Sequence, residues 1–195
     1  MDFIAPGILA MVLLFGSVFS GVTVIMDRQF GFLRETLVAP VNRVSIVLGK
    51  ALGGATTAVI QGLLMLVIAF LLGTRLNWSS IPLAVVVMAL ISLAFVSLGI
   101  ALASLMEDMH GFQLVINFLV FPPFFLSGAL FPLSGAPVPI RVASLLNPLT
   151  YGVDALRLLF LGTSSFSLAF DLAVLSTFFV ATTFAAAELF KRIEN

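Results

Sequence analysis

Long uncharged apolar runs, separated by short polar stretches, set the pattern of this chain. No charge falls between Asp2 and Asp27, so Ile4–Met26 reads as one apolar helix. Apolar runs recur at Ala51–Leu72, Ile81–Met106, Phe112–Phe131 and about Leu168–Leu189. Each meets or approaches the ~20 residues that a bilayer-crossing helix needs. The pattern predicts an all-α integral membrane protein, a single unit over 1–195, with spans at about 4–26, 51–72, 81–106, 112–131 and 168–189. Before the last span, Leu133–Gly162 is weaker and carries Arg141, Asp154 and Arg157. Residues 132–167 are therefore expected to form interfacial or re-entrant helices and turns. In the fourth run Pro122 and Pro123 each lack an N–H and clash with the preceding turn. Either the helix kinks there and continues, or it breaks and re-enters, with the break facing protein or a cavity.

Composition sharpens the picture. The 195 residues are 61% hydrophobic and 9% charged, with net charge +0 and mean hydropathy +1.23. Too few polar residues exist to cover a soluble globule, so the bilayer is the solvent, and nothing points to nucleic acid. Met1–Asp2–Phe3 lacks the basic start of a signal peptide, and no cleavage pattern follows the first run. With Asp2 outside, the Lys/Arg bias is satisfied: Arg28, Arg34, Arg43, Lys50, Lys191 and Arg192 fall in the cytosol, against Arg75, Arg141 and Arg157 outside. The expected location is the plasma membrane, N-terminus out and C-terminus cytosolic.

Chemistry is scarce. The chain has no cysteine and one histidine, His110, which sits with Glu107 and Asp108 in what reads as a solvated polar turn. The stretch Val47–Lys50 resembles the end of a phosphate loop but fails it, with Val44 for the first Gly and Ala51 for the Ser/Thr. No GxSxG is present. No catalytic residue, bound cofactor or metal site is expected, and a membrane-embedded enzyme is the remotest reading. The deep polar groups are neutral: Gln61, Ser92, Ser97, Asn117, Thr182 and Thr183, with Asp171 at a span end. Interhelical hydrogen bonds account for most; Gln61 and Asn117 are the candidates for lining a pathway. Small residues at Gly49/Gly53, Gly54/Ala58 and Gly99/Ala103 are expected to pack helices within the chain rather than form a dimer seam.

The polar region 27–50 concentrates Asp27, Arg28, Arg34, Glu35 and Arg43. Written as a helix, Phe30, Leu33 and Leu37 share one face, and Pro40 ends it. Such a short amphipathic helix suits lipid headgroups or a groove on a soluble partner; its mixed charge favours the partner.

Three stretches resemble the ABC-2 family of ABC-exporter membrane subunits, particularly the daunorubicin and multidrug-export permeases. "PGILAMVLLFGSVFSG" is similar to the family's second span, and "DRQFGFLRETLVAPVNRVSIVLGK" to its coupling region. "FFLSGALFP" followed by "NPLTYGVDALR" resembles its fifth span and external helical hairpin. The resemblance implies an exporter of a hydrophobic or amphiphilic compound, drug-like, lipid or glycolipid. A separate P-loop ATPase subunit would bind ATP and Mg and receive the coupling residues Asp27, Arg28, Phe30, Gly31, Leu33, Arg34, Glu35, Leu37 and Pro40. Two permease subunits, most simply a homodimer in membrane lipid, would enclose the pathway. In the hairpin, Asn147 and Pro148 would start a helix carrying Tyr151, with Asp154 and Arg157 as an exposed i, i+3 pair positioning it at the membrane surface. The family's usual N-terminal amphipathic helix, first span and large external loop have no counterpart here, so the chain starts at what would be the second span. The rival reading is a non-transporting permease remnant or membrane assembly factor.

Overall fold

The computed structural model describes residues 3–32, 42–74, 77–106 and 108–191, and all regular structure among them is helical. We label the helices α1 (Ile4–Phe19), α2 (Val22–Gln29), α3 (Arg43–Leu71), α4 (Ile81–Ser104), α5 (Met109–Leu126), α6 (Val138–Leu145), α7 (Pro148–Leu161) and α8 (Leu168–Lys191). Two single 3-10 turns, Trp78–Ser80 and Leu133–Gly135, precede α4 and α6. Among the described residues, five segments are long and apolar enough to cross a membrane: Ile4–Gln29, Arg43–Leu71, Trp78–Ser104, Met109–Leu126 and Leu168–Phe190.

Helix α4 is the hub. It is apolar all round, the signature of a helix enclosed by others, and buries residues on every face, from Ala84 to Ser104. Helix α8 packs along it, and α1, α3 and α7 complete the ring. Two cross-links tie α4 to α8: Ser97 Oγ lies 3.1 Å from Thr183 Oγ1, and Thr182 Oγ1 donates to the Ala94 carbonyl at 3.2 Å. These are interhelical bonds of the kind expected of the neutral deep groups. The first span is not one regular helix: Ser20 and Gly21 interrupt it. There α1 and α4 touch backbone to backbone, since an added Cβ at Gly21 would overlap the Gly99 carbonyl and one at Gly99 would overlap that of Val18.

The expected small-residue packing holds in part. Ala58 and Ala103 are buried, and a Cβ at Gly54 would meet Ser20 and Val96. At Gly49 and Gly53 an added Cβ would meet nothing within 4 Å, so that pair packs no helix within the described chain. Two boundaries also move. Helix α3 begins at Arg43, where Asn42 accepts the Val44 N–H at 3.2 Å, so the third helix starts inside the 27–50 coupling region, eight residues before Ala51. Helix α5 continues through Pro122 and Pro123 and stops at Leu126, five residues before Phe131, where Ser127 donates its hydroxyl to the Phe124 carbonyl at 2.7 Å. Gly128 then turns the chain with φ +75°, which only glycine adopts freely. Helix α5 is peripheral: Phe112, Ile116, Val120 and Phe124 form its buried stripe, while Phe118 on the far side is 89% exposed.

Candidate functional site

The two ends of the bundle carry most of the chemistry. At one end α2 runs out to Gln29 and α3 returns from Arg43. Asp27 is ion-paired with Lys50 across that gap, and Arg28 donates to the Met106 carbonyl at 3.5 Å, beyond the end of α4. Asp27 and Arg28 thus brace the chain itself, a role the sequence pattern did not suggest. Phe30 projects with 68% of its surface exposed, Phe32 with 59%, and Gly31 between them has φ +82°. Leu33, Arg34, Glu35, Leu37 and Pro40, the remainder of the amphipathic segment, lie outside the described residues. Asp108 is no free member of a polar turn: it caps α5, accepting the Gly111 N–H at 2.7 Å.

At the opposite end, α6 and α7 form a helical hairpin wedged beside the starts of α1 and α8 and the end of α5. Helix α7 is not a surface helix. It buries Leu149, Tyr151, Val153, Leu156 and Phe160 against its neighbours, chiefly α8, α4 and α1. Its N-cap and four polar side chains along it hold backbone groups. Asn147 accepts the Leu149 N–H at 3.1 Å as N-cap and donates Nδ2 to the Pro123 carbonyl at 2.6 Å. That carbonyl belongs to the last turn of α5, where helical donors run out. Tyr151 donates its hydroxyl to the Leu145 carbonyl at 2.7 Å, and neighbouring Thr150 donates to Ser144 at 2.8 Å, so the end of α6 is capped from α7.

The expectation of an exposed Asp154–Arg157 pair is corrected. Asp154 is buried, and its carboxylate accepts the N–H groups of Ser165 and Phe166 at 2.9–3.0 Å, closing the loop into α8. Arg157 reaches the other way, donating to the Gly128 carbonyl at 2.5 Å and lying 4.0 Å over the Phe3 ring. Sequence reasoning placed both on the right helix but assumed a solvated face. Burial lowers the Arg157 pKa from its ordinary value, and the nearby Asp154 carboxylate raises it in part. Asp171, in the first turn of α8, is fully buried with neither carboxylate oxygen hydrogen-bonded.

Between the two ends, α3 and α5 each pack on α1 without substantial packing on each other. Gln61 of α3 is exposed and lies against α1 at Gly16, which has no side chain to obstruct its amide. Asn117 is exposed on α5 one turn before Phe121, whose ring meets Phe15 of α1 at 5.3 Å. Gln61 thus touches α1 directly, Asn117 lies one turn from a residue that does, and Met11 of α1 is exposed.

The model of the ABC-2 type transporter family matches residues 1–161, from the start of α1 to the end of α7. This chain belongs to the ABC-2 type transporter family. Among its relatives is the transport permease ycf38 of Cyanophora paradoxa, 34% identical over 162 residues, covering 82% of this chain and 56% of the relative. Nodulation protein J of Rhizobium leguminosarum bv. trifolii is 32% identical over 147 residues, covering 75% and 56%. Nodulation protein J of Rhizobium leguminosarum bv. viciae is 27% identical over 192 residues, covering 97% and 74%. The chain thus spans little more than half the length of the first two ABC-2 relatives. The hairpin residues expected from the sequence, Asn147, Pro148, Tyr151, Asp154 and Arg157, fall inside the ABC-2 match.

Proposed function

We propose that this chain is the membrane-spanning part of an ATP-binding-cassette exporter that moves a hydrophobic or amphiphilic compound. Energy comes from a separate P-loop ATPase, which binds ATP and Mg and docks at the end carrying Phe30 and Phe32. Two permease subunits enclose the pathway in the plasma membrane, with the α6–α7 hairpin outside and the C-terminus in the cytosol. What supports the reading is that α3 and α5 pack on α1 but not substantially on each other, and that each exposes apolar residues, such as Leu64 and Phe118, together with a neutral amide, Gln61 or Asn117. Such a surface suits an uncharged or amphiphilic cargo, while buried charge in quantity would suit ion coupling. Exposed phenylalanines on a left-handed glycine turn suit insertion into a protein groove.

The test is purification of the tagged chain from its native membrane in mild detergent. A P-loop ATPase should co-purify, and Phe30→Asp combined with Leu33→Asp should release it without unfolding the spans. A folded chain that brings down no ATPase would overturn the reading and support a non-transporting membrane protein.

A further inference from the structure

We propose that the cavity under α6 binds the headgroup of an acidic phospholipid from the surrounding leaflet. The cavity measures about 590 Å³, the size of a small-ligand site, and opens at the hairpin end of the bundle. Among the described residues, three charged side chains line it: Arg141 from α6, and Asp154 and Arg157 from α7. Their availability differs. Asp154 is already committed to the Ser165 and Phe166 amides. Arg157 uses Nη2 on the Gly128 and Ala129 carbonyls, and its buried Nε has no partner. Arg141 is exposed and its guanidinium bonds to nothing else among the described residues. Two guanidinium groups against one satisfied carboxylate leave an excess positive charge and unused N–H donors, which is the chemistry that receives a phosphodiester. Thr163 and Ser164 on the far wall add hydroxyls for a glycerol or sugar-like head.

The rim argues for a lipid rather than a soluble anion. Val138, Val142 and Leu145 line the cavity and are also exposed at i, i+4 and i+7, giving α6 one apolar outer side. A short helix with an exposed apolar stripe and an arginine beside it lies in the membrane interface. A headgroup seated on Arg141 would lead its acyl chains out past that stripe. The inference depends on neither the ATPase nor the cargo.

The test is titration of the purified full chain in neutral detergent with phosphatidylglycerol, with phosphatidylcholine of the same acyl chains, and with inorganic phosphate, read by native mass spectrometry and thermal stabilisation. Phosphatidylglycerol should bind more tightly than phosphatidylcholine, by about fivefold for each arginine engaged. Arg141→Gln should remove about one such factor while leaving the lipid-free melting temperature unchanged. Val142→Asp, on the rim, should abolish the preference even if Arg141→Gln folds poorly. Equal binding of the two lipids, or an unchanged preference in both variants, would overturn the proposal. Stabilisation by inorganic phosphate equal to that by phosphatidylglycerol would also overturn it, assigning the cavity to a soluble anion.

Discussion

Replacing Asn147 separates two jobs that one side chain performs. Its Oδ1 caps α7 through the Leu149 N–H, and its Nδ2 satisfies the Pro123 carbonyl. Loss of an N-cap costs about 1 kcal/mol. Stranding a buried acceptor costs about 1–3 kcal/mol, and Asn147 is itself buried, so water does not readily replace it. Asn147→Ala loses both and should destabilise the fold by about 2–4 kcal/mol. Asn147→Ser keeps a capping oxygen but cannot reach Pro123, so it should recover only the ~1 kcal/mol of the cap. For a chain of this length each kcal/mol corresponds to roughly 2–4 °C in melting temperature. The alanine variant should therefore melt about 5–15 °C below the parent, and serine a few degrees above alanine. Detergent-solubilised protein, followed by thermal unfolding of the single tryptophan Trp78 and by far-UV circular dichroism, supplies the comparison. Equal melting of parent and Asn147→Ala would refute the double-cap reasoning. Serine restoring full stability would show that the Pro123 bond contributes nothing.

Gly99→Val should cost at least about 3 kcal/mol or prevent folding, because the new side chain meets the Val18 backbone, which cannot step aside; near-parent expression and melting would contradict that crossing. Gly53→Ala, where an added Cβ meets nothing, should instead gain about 0.5–1 kcal/mol from helix propensity, measured on the same melts. Lys50→Gln should change stability by no more than about 1 kcal/mol, since Lys50 and Asp27 are both partly exposed; a larger loss would mean that the pair is more enclosed. In native-state hydrogen exchange, the Ser165 and Phe166 amides should be protected as strongly as the core of α7, and Asp154→Asn should speed their exchange selectively.

Much of the fold was legible because bilayer-crossing helices declare themselves by length and apolarity alone. The run Ile4–Met26 predicted the first span, and the Asn147–Pro148 pair predicted the start of α7. Hydropathy could not locate the break at Ser20–Gly21, which depends on Gly99 approaching from a helix some eighty residues away. Nor could it decide the fate of Pro122–Pro123: whether a helix survives two missing N–H groups depends on what else satisfies the carbonyls they leave. The candidate sites were legible in part. Gln61 and Asn117 were picked as rare amides in apolar runs, and both are exposed on their helices. Asp154 and Arg157 were misjudged because i, i+3 spacing identifies neighbours on a helix but says nothing about the backbone groups that compete for them. The Asp27–Lys50 pair was missed for a similar reason, its partners lying on two helices that only the fold brings together.

Seen from the backbone, the motif running from Asn147 to Arg157 is a set of fasteners for interrupted helices. Helix α5 ends at Leu126, α6 ends at Leu145, and the chain turns again at Gly128 and after Gly162. Each interruption frees N–H or carbonyl groups, and a buried one left unpaired costs about 1–3 kcal/mol. Asn147 takes the end of α5, Tyr151 the end of α6, Asp154 the entry to α8, and Arg157 the Gly128–Ala129 turn. Swinging the hairpin out alone would keep the Tyr151–Leu145 bond, which lies within it, but would break the other three at once and strand their partners. Moving it together with the last turn of α5 and the first turn of α8 breaks none of them. Any opening at this end of the bundle is therefore a rigid-body displacement that carries α7, the end of α5 and the start of α8 together, and the flexible element has to lie elsewhere, at the Ser20–Gly21 interruption or where α5 loses its two proline hydrogen bonds.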